Sequence, residues 1–198
     1  SSAASDVYKR QDIAYSEIYF NEKPPPSLLQ VKDAKKIAVE FSSMSKTHNM
    51  PGWRIGFASG NKILISALAR IKSYLDYGAF TPIQVAAATA LNSSQEHVSN
   101  IRKVYKNRRD VLIESMKRVG WDIPNPEATM FAWAPIPKKY LRKGSIHFSK
   151  VLLKKASLAV SPGIGFGSYG DKHVRISLVE NEQRIRQAAR NIKNNLSF

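Results

Sequence analysis

Apolar residues follow two different spacings along the chain, and these spacings predict strands alternating with helices. Short apolar runs at 36–41 (KIAVEF) and 54–59 (RIGFAS) are typical of buried strands. Between residues 63 and 75 the apolar positions recur every three or four residues, which predicts a helix that ends before Gly78. The stripe consists of Ile63, Leu64, Ala67, Leu68, Ile71 and Leu75.

Two further helices are predicted between residues 81 and 120. Thr81 and Pro82 predict a helix start, as N-cap and first helical residue, with an alanine-rich body that reaches about Leu91. A longer amphipathic helix is predicted over 95–119, ending at Gly120.

The remainder again mixes strands and helices. Strands are predicted around 128–134, within 157–163 and at 173–178, and a glycine-rich loop precedes the last of them. Helices are predicted over 145–156 and from Asn181 to about Asn194. Strands that alternate with helices predict an α/β or α+β fold.

Composition narrows the class of protein. The 198 residues are 43% hydrophobic and include no cysteine, so the chain is globular, with no disulfide framework and no thiolate metal site. This usage fits a reducing compartment, and we expect a cytoplasmic protein. No apolar run reaches the roughly 18 residues of a membrane span, so no membrane partner is expected. The opening SSAASDVYKRQ lacks the apolar core of a signal peptide.

The net charge of +16 raises the question of an anionic partner. A nucleic acid and a merely solvated basic surface both fit this charge, but the basic residues are dispersed and no nucleic-acid-binding motif accompanies them. We therefore favour the solvated surface and do not expect nucleic acid as the main partner. The four histidines show no metal-ligand spacing, so no metal is expected.

A single lysine stands among small polar residues in the segment 42–56 (SSMSKTHNMPGWRIG). A lysine used in covalent chemistry forms a Schiff base with a carbonyl, and its amine must first lose a proton. If the carbonyl belongs to pyridoxal 5'-phosphate, the phosphate needs hydroxyls and an arginine, and the ring nitrogen needs a carboxylate. Around Lys46, the residues Ser43, Ser45 and Arg54 can meet the first need, and Asp12 the second.

Three motifs together resemble class I pyridoxal-phosphate-dependent aminotransferases, which are fold type I enzymes. The pattern S-M-S-K-x-x-N-M-x-G-x-R-I-G at 43–56 is similar to their lysine-attachment signature. D-I-A-Y at 12–15 resembles an upstream element, and S-P-G-x-x-F-G-x-x-G at 161–170 followed by H-V-R-I at 173–176 resembles the end of the family. Within the family the chain looks most like bacterial alanine (glutamate–pyruvate) transaminases, with LL-diaminopimelate aminotransferases as runners-up.

The resemblance implies a role for each cofactor-facing residue. Lys46 would hold the cofactor and then move a proton as general acid and base. Asp12 would pair with the pyridinium nitrogen, although a plain turn residue is an alternative reading. Tyr15 would hydrogen-bond the phenolic oxygen, with a core aromatic as its alternative.

The resemblance also assigns the anion-binding residues. Ser43 and Arg54 would hold the phosphate, with Ser45 a weaker candidate that otherwise fixes the local backbone. Arg175 would bind the substrate α-carboxylate as a bidentate pair. The alternative for Arg175 is a surface arginine on an edge strand.

The resemblance also implies the domain organisation. The chain is expected to be the C-terminal part of such an enzyme: 12–95 as the remainder of the large α/β domain and 96–198 as the small C-terminal α+β domain. Residues 1–11 look like a leader foreign to the family. The full-length enzyme is expected to be a homodimer that moves an amino group between an amino acid and a 2-oxo acid, and this half-chain is expected to be inactive alone.

Two alternatives stay open at the level of sequence. The first is another fold type I enzyme, such as a lyase or a decarboxylase. The second is a non-catalytic basic fragment that binds an anionic partner.

Overall fold

A computed structural model describes residues 9–197 of the chain. Contacts between Cα atoms divide it into two compact units, one through Ile101 and one from Arg102 onward. The division falls inside the longest helix, Glu96–Lys117.

Within residues 9–101, the first unit contains a three-stranded sheet and three α-helices, followed by the beginning of a fourth. Its elements are β1 (Lys9–Asp12), β2 (Ala38–Ser43), α1 (Met44–Thr47), β3 (Gly56–Gly60), α2 (Lys62–Leu75), α3 (Thr81–Asn92) and the start of α4 (Glu96–Lys117). β1 runs parallel to β2, which pairs antiparallel with β3. Because β1 and β2 are parallel, their carboxyl ends lie at the same edge of the sheet.

β1 was not predicted, because its sequence KRQD is polar and largely exposed. Backbone hydrogen bonds hold it, for example Lys9 N to Ile37 O at 2.9 Å and Ile13 N to Phe41 O at 2.9 Å. Residues 9–11 of the proposed foreign leader belong to this strand, and residues 1–8 of that leader lie outside the described residues.

The second unit packs helices on one face of another three-stranded sheet. After α4 come β4 (Phe131–Pro135), α5 (Lys138–Leu141), α6 (Gly144–Ala156), β5 (Ser161–Pro162), β6 (His173–Ser177) and α7 (Glu182–Asn195). The sheet order is β4-β6-β5, and both pairings are antiparallel. The central strand is therefore the last one in sequence.

Strand alternation gives this sheet one buried face. Val174 and Ile176 of β6 point into the core with Ala132 and Ala134 of β4, so His173 and Arg175 lie on the opposite face. The core also holds the largest fully buried side chains of the unit, Trp121 and Phe148, whose rings meet edge to face at 5.4 Å.

Most predicted elements are present, with shifted ends. α3 begins at Thr81, but its N-cap is Phe80, so Thr81 is the first helical residue and its predicted capping role is wrong. The helix predicted between residues 63 and 75 is confirmed as α2, but none of the residues of α2 is buried. No helix within residues 9–197 is long and apolar enough to cross a membrane.

Candidate active site

Lys46 lies on the single turn α1, which follows β2 directly. Ser43 ends the strand and caps the turn, because its Oγ accepts a hydrogen bond from the Ser45 amide at 3.1 Å. Thr47 is buried, and its hydroxyl donates back to the Ser43 carbonyl at 3.1 Å. The side chain of Lys46 itself is half-buried. Two side-chain bonds thus fix the turn that presents the lysine.

Arg54 lies two residues before β3, the strand that pairs with β2, and its side chain is exposed. Ser43 pairs with Gly56, and the Met44 amide donates to the Ile55 carbonyl at 3.2 Å, so the residues before β3 lie beside the start of α1. Arg54 has a left-handed backbone (φ 52°, ψ 50°) and donates from Nη1 to the Pro51 carbonyl at 3.0 Å. A non-glycine residue in this region costs backbone energy and is often found at functional sites.

Asp12 ends β1 at the edge where β2 also ends. Its Cα pairs in register with Phe41, two residues before Ser43. The side chain is exposed, and its Oδ1 accepts a hydrogen bond from the Ala14 amide at 3.0 Å. Tyr15 lies in the turn that follows and is half-buried. Parallel pairing therefore brings the carboxylate to the sheet edge that carries the lysine turn.

Two histidines that the sequence did not single out lie against this turn. His48 follows α1, and its ring centroid is 4.9 Å from that of His97 at the start of α4. Burial lowers the pKa of the His48 imidazole below its ordinary value, and the neighbouring His97 lowers it further. His48 is therefore neutral at pH 7.

Arg175 lies in the second unit, on the non-core face of β6. Its guanidinium lies against two rings, with Cζ 4.2 Å from the centroid of Phe131 and 4.4 Å from that of Phe166. Trp133 pairs with Arg175 across the strands, and its ring meets Phe166 edge to face at 5.7 Å. Within residues 9–197 no carboxylate pairs with Arg175. Because β6 is central, the alternative of an edge-strand arginine is wrong.

A glycine-rich loop leads into β6 and is tied to α6 by one carboxylate. Asp171 accepts hydrogen bonds from the Ser145 amide at 2.9 Å and from the Ser145 hydroxyl at 2.8 Å, and these bonds lower the pKa of Asp171 below its ordinary value. The Ser145 hydroxyl in turn accepts from the Ile164 amide at 3.1 Å. The loop is thereby anchored just ahead of Arg175.

The structure brings together part of the predicted set. In the first unit it gathers Ser43, Ser45, Lys46 and Arg54 on adjacent segments and places Asp12 and Tyr15 at the same sheet edge. Sequence reasoning missed the aromatic clamp of Arg175, whose signal was the phenylalanine inside the glycine-rich motif. Among residues 9–197 there is no cluster of three or more His, Asp or Glu that would hold a metal ion.

The chain belongs to the aminotransferase class I and II family, whose model matches residues 7–192. It is 61% identical to AatC of Rhizobium meliloti (strain 1021), over 97% of this chain and 47% of that protein. It is 54% identical to the glutamate–pyruvate aminotransferase AlaC of Escherichia coli (strain K12), over 95% of this chain and 46% of AlaC. An LL-diaminopimelate aminotransferase of Natranaerobius thermophilus is 46% identical, over 91% of this chain and 46% of that protein.

Solved structures agree with the family assignment. The substrate-bound structure of BacF from Bacillus subtilis superposes with a TM-score of 0.93 at 36% identity, over 98% of this chain and 49% of BacF. The predicted fold class, part of a fold type I transferase of α/β type, is confirmed. The chain spans about half the length of the curated relatives it matches.

Proposed function

We propose that this chain supplies the cofactor-attaching lysine and the substrate-carboxylate arginine of a pyridoxal-phosphate-dependent aminotransferase. One observation carries the proposal: Lys46 follows β2 on a fixed turn, at the sheet edge where the parallel strand β1 delivers Asp12. An amine and a carboxylate at one edge are the two groups that the lysine-bound cofactor needs on its aldehyde and its ring nitrogen.

The donor set suits the cofactor. The hydroxyls of Ser43 and Ser45 and the guanidinium of Arg54 are donors that a phosphate accepts, and Arg54 has no carboxylate partner among residues 9–197. Asp12 would hold the proton on the ring nitrogen, and the Tyr15 hydroxyl would donate to the phenolic oxygen. When bound, pyridoxal phosphate supplies an electron sink for the substrate's Cα.

The lysine amine would carry the proton transfer. Lys46 Nζ would hold the cofactor through its aldehyde and, when free, would act as general base by taking the proton from the substrate's Cα and as general acid by giving it back. The short turn and its two hydroxyl bonds limit the positions that Nζ can reach.

Arg175 would bind the substrate's α-carboxylate. Its guanidinium lies against Phe131 and Phe166, and Arg175 has no acidic partner among residues 9–197, so its N–H groups are suited to bind a carboxylate. All amino acids and 2-oxo acids carry this group, so Arg175 defines the substrate class and not the substrate.

For the particular substrates we propose alanine and 2-oxoglutarate or pyruvate, supported by the likeness to AlaC. An LL-diaminopimelate or aspartate-type aminotransferase is the alternative, favoured by the likeness to the Natranaerobius thermophilus protein. The full-length enzyme is proposed to be a cytoplasmic homodimer and this half-chain alone to be inactive. The domain roles proposed for 12–95 and 96–198 belong to the same proposal.

Cofactor trapping tests the proposal. The chain would be incubated with pyridoxal phosphate, reduced with borohydride and mapped by peptide mass. We expect the label on Lys46, its loss in Lys46→Ala, and its retention in the matched variant Lys36→Ala, whose side chain is exposed. Label scattered over many lysines and unchanged by Lys46→Ala would contradict a preformed half-site.

The basic-fragment alternative predicts a different result. A chain that functions through its charge would bind polyanions with a steep salt dependence and without any need for Lys46. Polyanion binding that survives physiological salt, together with absence of the Lys46 label, would favour it.

A further inference from the structure

Two imidazoles meet beside the lysine turn, and nothing in the proposed chemistry uses them. His48 directly follows the last residue of α1, and His97 lies in the first turn of α4, within the first unit. Their ring centroids are 4.9 Å apart and their planes are tilted by 53°.

Hydrogen bonds determine which nitrogen of each ring carries its hydrogen. The Ser43 carbonyl can only accept, so the Thr47 hydroxyl donates to it, and the hydroxyl oxygen is left to accept from His48 Nδ1 at 2.8 Å. Likewise His97 Nδ1 donates to the Ser94 carbonyl at 3.0 Å. In the neutral pair, both rings therefore carry hydrogen on Nδ1 and a lone pair on Nε2.

The Nε2 atom of His48 is buried and has no hydrogen-bond partner. Protonation of this nitrogen would place a positive charge in a buried position beside the imidazole of His97, which is unfavourable. The groups that act on His48 come from three segments: His97 on α4, Gln95 just before α4, and Glu17 in the turn after β1. Burial and His97 disfavour the charge, whereas Gln95 and Glu17 favour it.

We propose that His48 is a positioning residue for Lys46: the neutral His48 ring, packed against His97, holds Thr47 and through it the Ser43 carbonyl, and a charge on the buried Nε2 of His48 separates the two rings and loosens the lysine turn. The role of the turn in catalysis rests on the proposed function, but the coupling of the two rings does not. The chain of contacts runs from His97 through His48 and Thr47 to Ser43.

The direction of the pH effect follows from the lowered pKa of His48. The unfolded chain binds this proton near pH 6.5, whereas the folded chain binds it only at lower pH. Between these two values the unfolded state holds more protons, so the stability of the lysine turn falls as the pH decreases below about 6.5.

A histidine titration followed by NMR tests the coupling. The chain has four histidines, so each can be assigned by substitution. In His97→Phe, which keeps a ring but removes the proton site, the pKa of His48 is expected to rise towards its ordinary value. In the control His147→Gln, on α6 of the second unit, it is expected to stay unchanged. An unchanged pKa of His48 in His97→Phe, or a parent His48 that titrates at its ordinary value, would overturn the coupling.

Amide hydrogen exchange tests the positioning. The His48 amide donates to the Met44 carbonyl at 3.2 Å and reports on the turn. In His48→Phe, which loses the bond to Thr47, this amide is expected to exchange about fivefold faster, the change expected for one lost hydrogen bond. His48→Asn keeps a donor near the Nδ1 position and is expected to restore protection. Two results would overturn the positioning role. The first is an equal exchange rate of the residue 48 amide in His48→Phe and His48→Asn. The second is an exchange rate in the parent chain that, after correction for intrinsic rates, does not rise from pH 7 to pH 5.

Borohydride trapping at Lys46 separates this proposal from the proposed function. If His48 and His97 are coupled in the titration but Lys46 is not labelled, the positioning of the turn stands and the proposed cofactor role of Lys46 is wrong. Independent titration with a labelled Lys46 would support the cofactor role and overturn the histidine pair.

Discussion

At the scale of single residues, Asp171 acts as a cap for a helix from which it is distant in sequence. Its carboxylate accepts from the Ser145 amide and hydroxyl at the beginning of α6, a helix without a side-chain bond from its own N-cap. A carboxylate at this position satisfies free amide groups of the first turn and interacts favourably with the helix dipole. The glycine-rich loop and α6 thereby stabilise each other.

Asp171→Asn is expected to lower the urea midpoint of the second unit at pH 7, because the charged acceptor for Ser145 is removed. The folded-state pKa of Asp171 is depressed, so this stability is present above its ordinary value of 3.8 and is lost as the pH falls through the lower folded value. The difference from the parent should therefore shrink on acidification. Fluorescence of the buried Trp121 measures the transition.

Asp122→Asn is the control, because Asp122 is exposed and has no described partner among residues 9–197. If Asp171→Asn and Asp122→Asn had equal urea midpoints both at pH 7 and after acidification, the capping role of Asp171 would be contradicted.

At the scale of elements, the glycine loop is held by a close approach of two backbone segments. A Cβ placed on Gly163 would lie 2.0 Å from the Gly170 carbonyl oxygen and 2.5 Å from the His173 carbonyl oxygen. Both obstacles are backbone, so no side-chain movement relieves them. The tight packing sets the position at which β6 starts, and with it Arg175.

Gly163→Ala is expected to destabilise the second unit by at least the ~1–3 kcal/mol typical of overpacking. Gly165→Ala is the matched control, because a Cβ on Gly165 has no atom within 4 Å. Urea unfolding followed by Trp121 fluorescence compares them. Similar midpoints for the two variants would mean that the loop relaxes without cost.

Periodic elements were predictable from the sequence, and elements held by distant partners were not. The stripe of α7, with Ile185, Ala189 and Ile192 buried, was visible because burial imposes the helical period directly. β1 and the four-residue α1 show no period of their own, since backbone bonds to β2 and side-chain caps create them.

The candidate site follows the same division. Lys46 and Arg54 were recognised because their spacing lies within one continuous segment. The clamp of Phe131 and Phe166 depends on the register of β4 against β6 and on the fold of the glycine loop, which no local spacing encodes. His97 meets His48 through tertiary packing alone.

At the scale of the whole molecule, the described surface carries an unusual amount of apolar area on α2 and after it. Ile71, Tyr74 and Leu75 are 60%, 81% and 79% exposed, and Tyr77 and Phe80 are also exposed. Monomeric proteins seldom expose contiguous apolar patches of this kind. A chain that spans about half the length of its relatives is consistent with such a surface.

The isolated chain is expected to self-associate through α2, and the double substitution Ile71→Lys with Leu75→Lys should reduce this, because it removes apolar surface. Sedimentation velocity at several concentrations measures the association. Ser66→Lys on the same exposed helix adds positive charge without removing a large apolar side chain, and it should reduce association less. An equal effect of both would assign the change to charge alone.

The alternation of faces along β6 also limits how chains of this kind can vary in length. Val174 and Ile176 face the core while Arg175 faces away, so inserting one residue inside this strand would exchange the two sets. The guanidinium would enter the interior, and an aliphatic side chain would lie against the two phenylalanine rings instead. We therefore expect insertions and deletions between related genes to lie outside this strand, for example at 179–181. These residues are exposed and follow the buried Leu178, so an added residue there does not change which face each residue of β6 occupies.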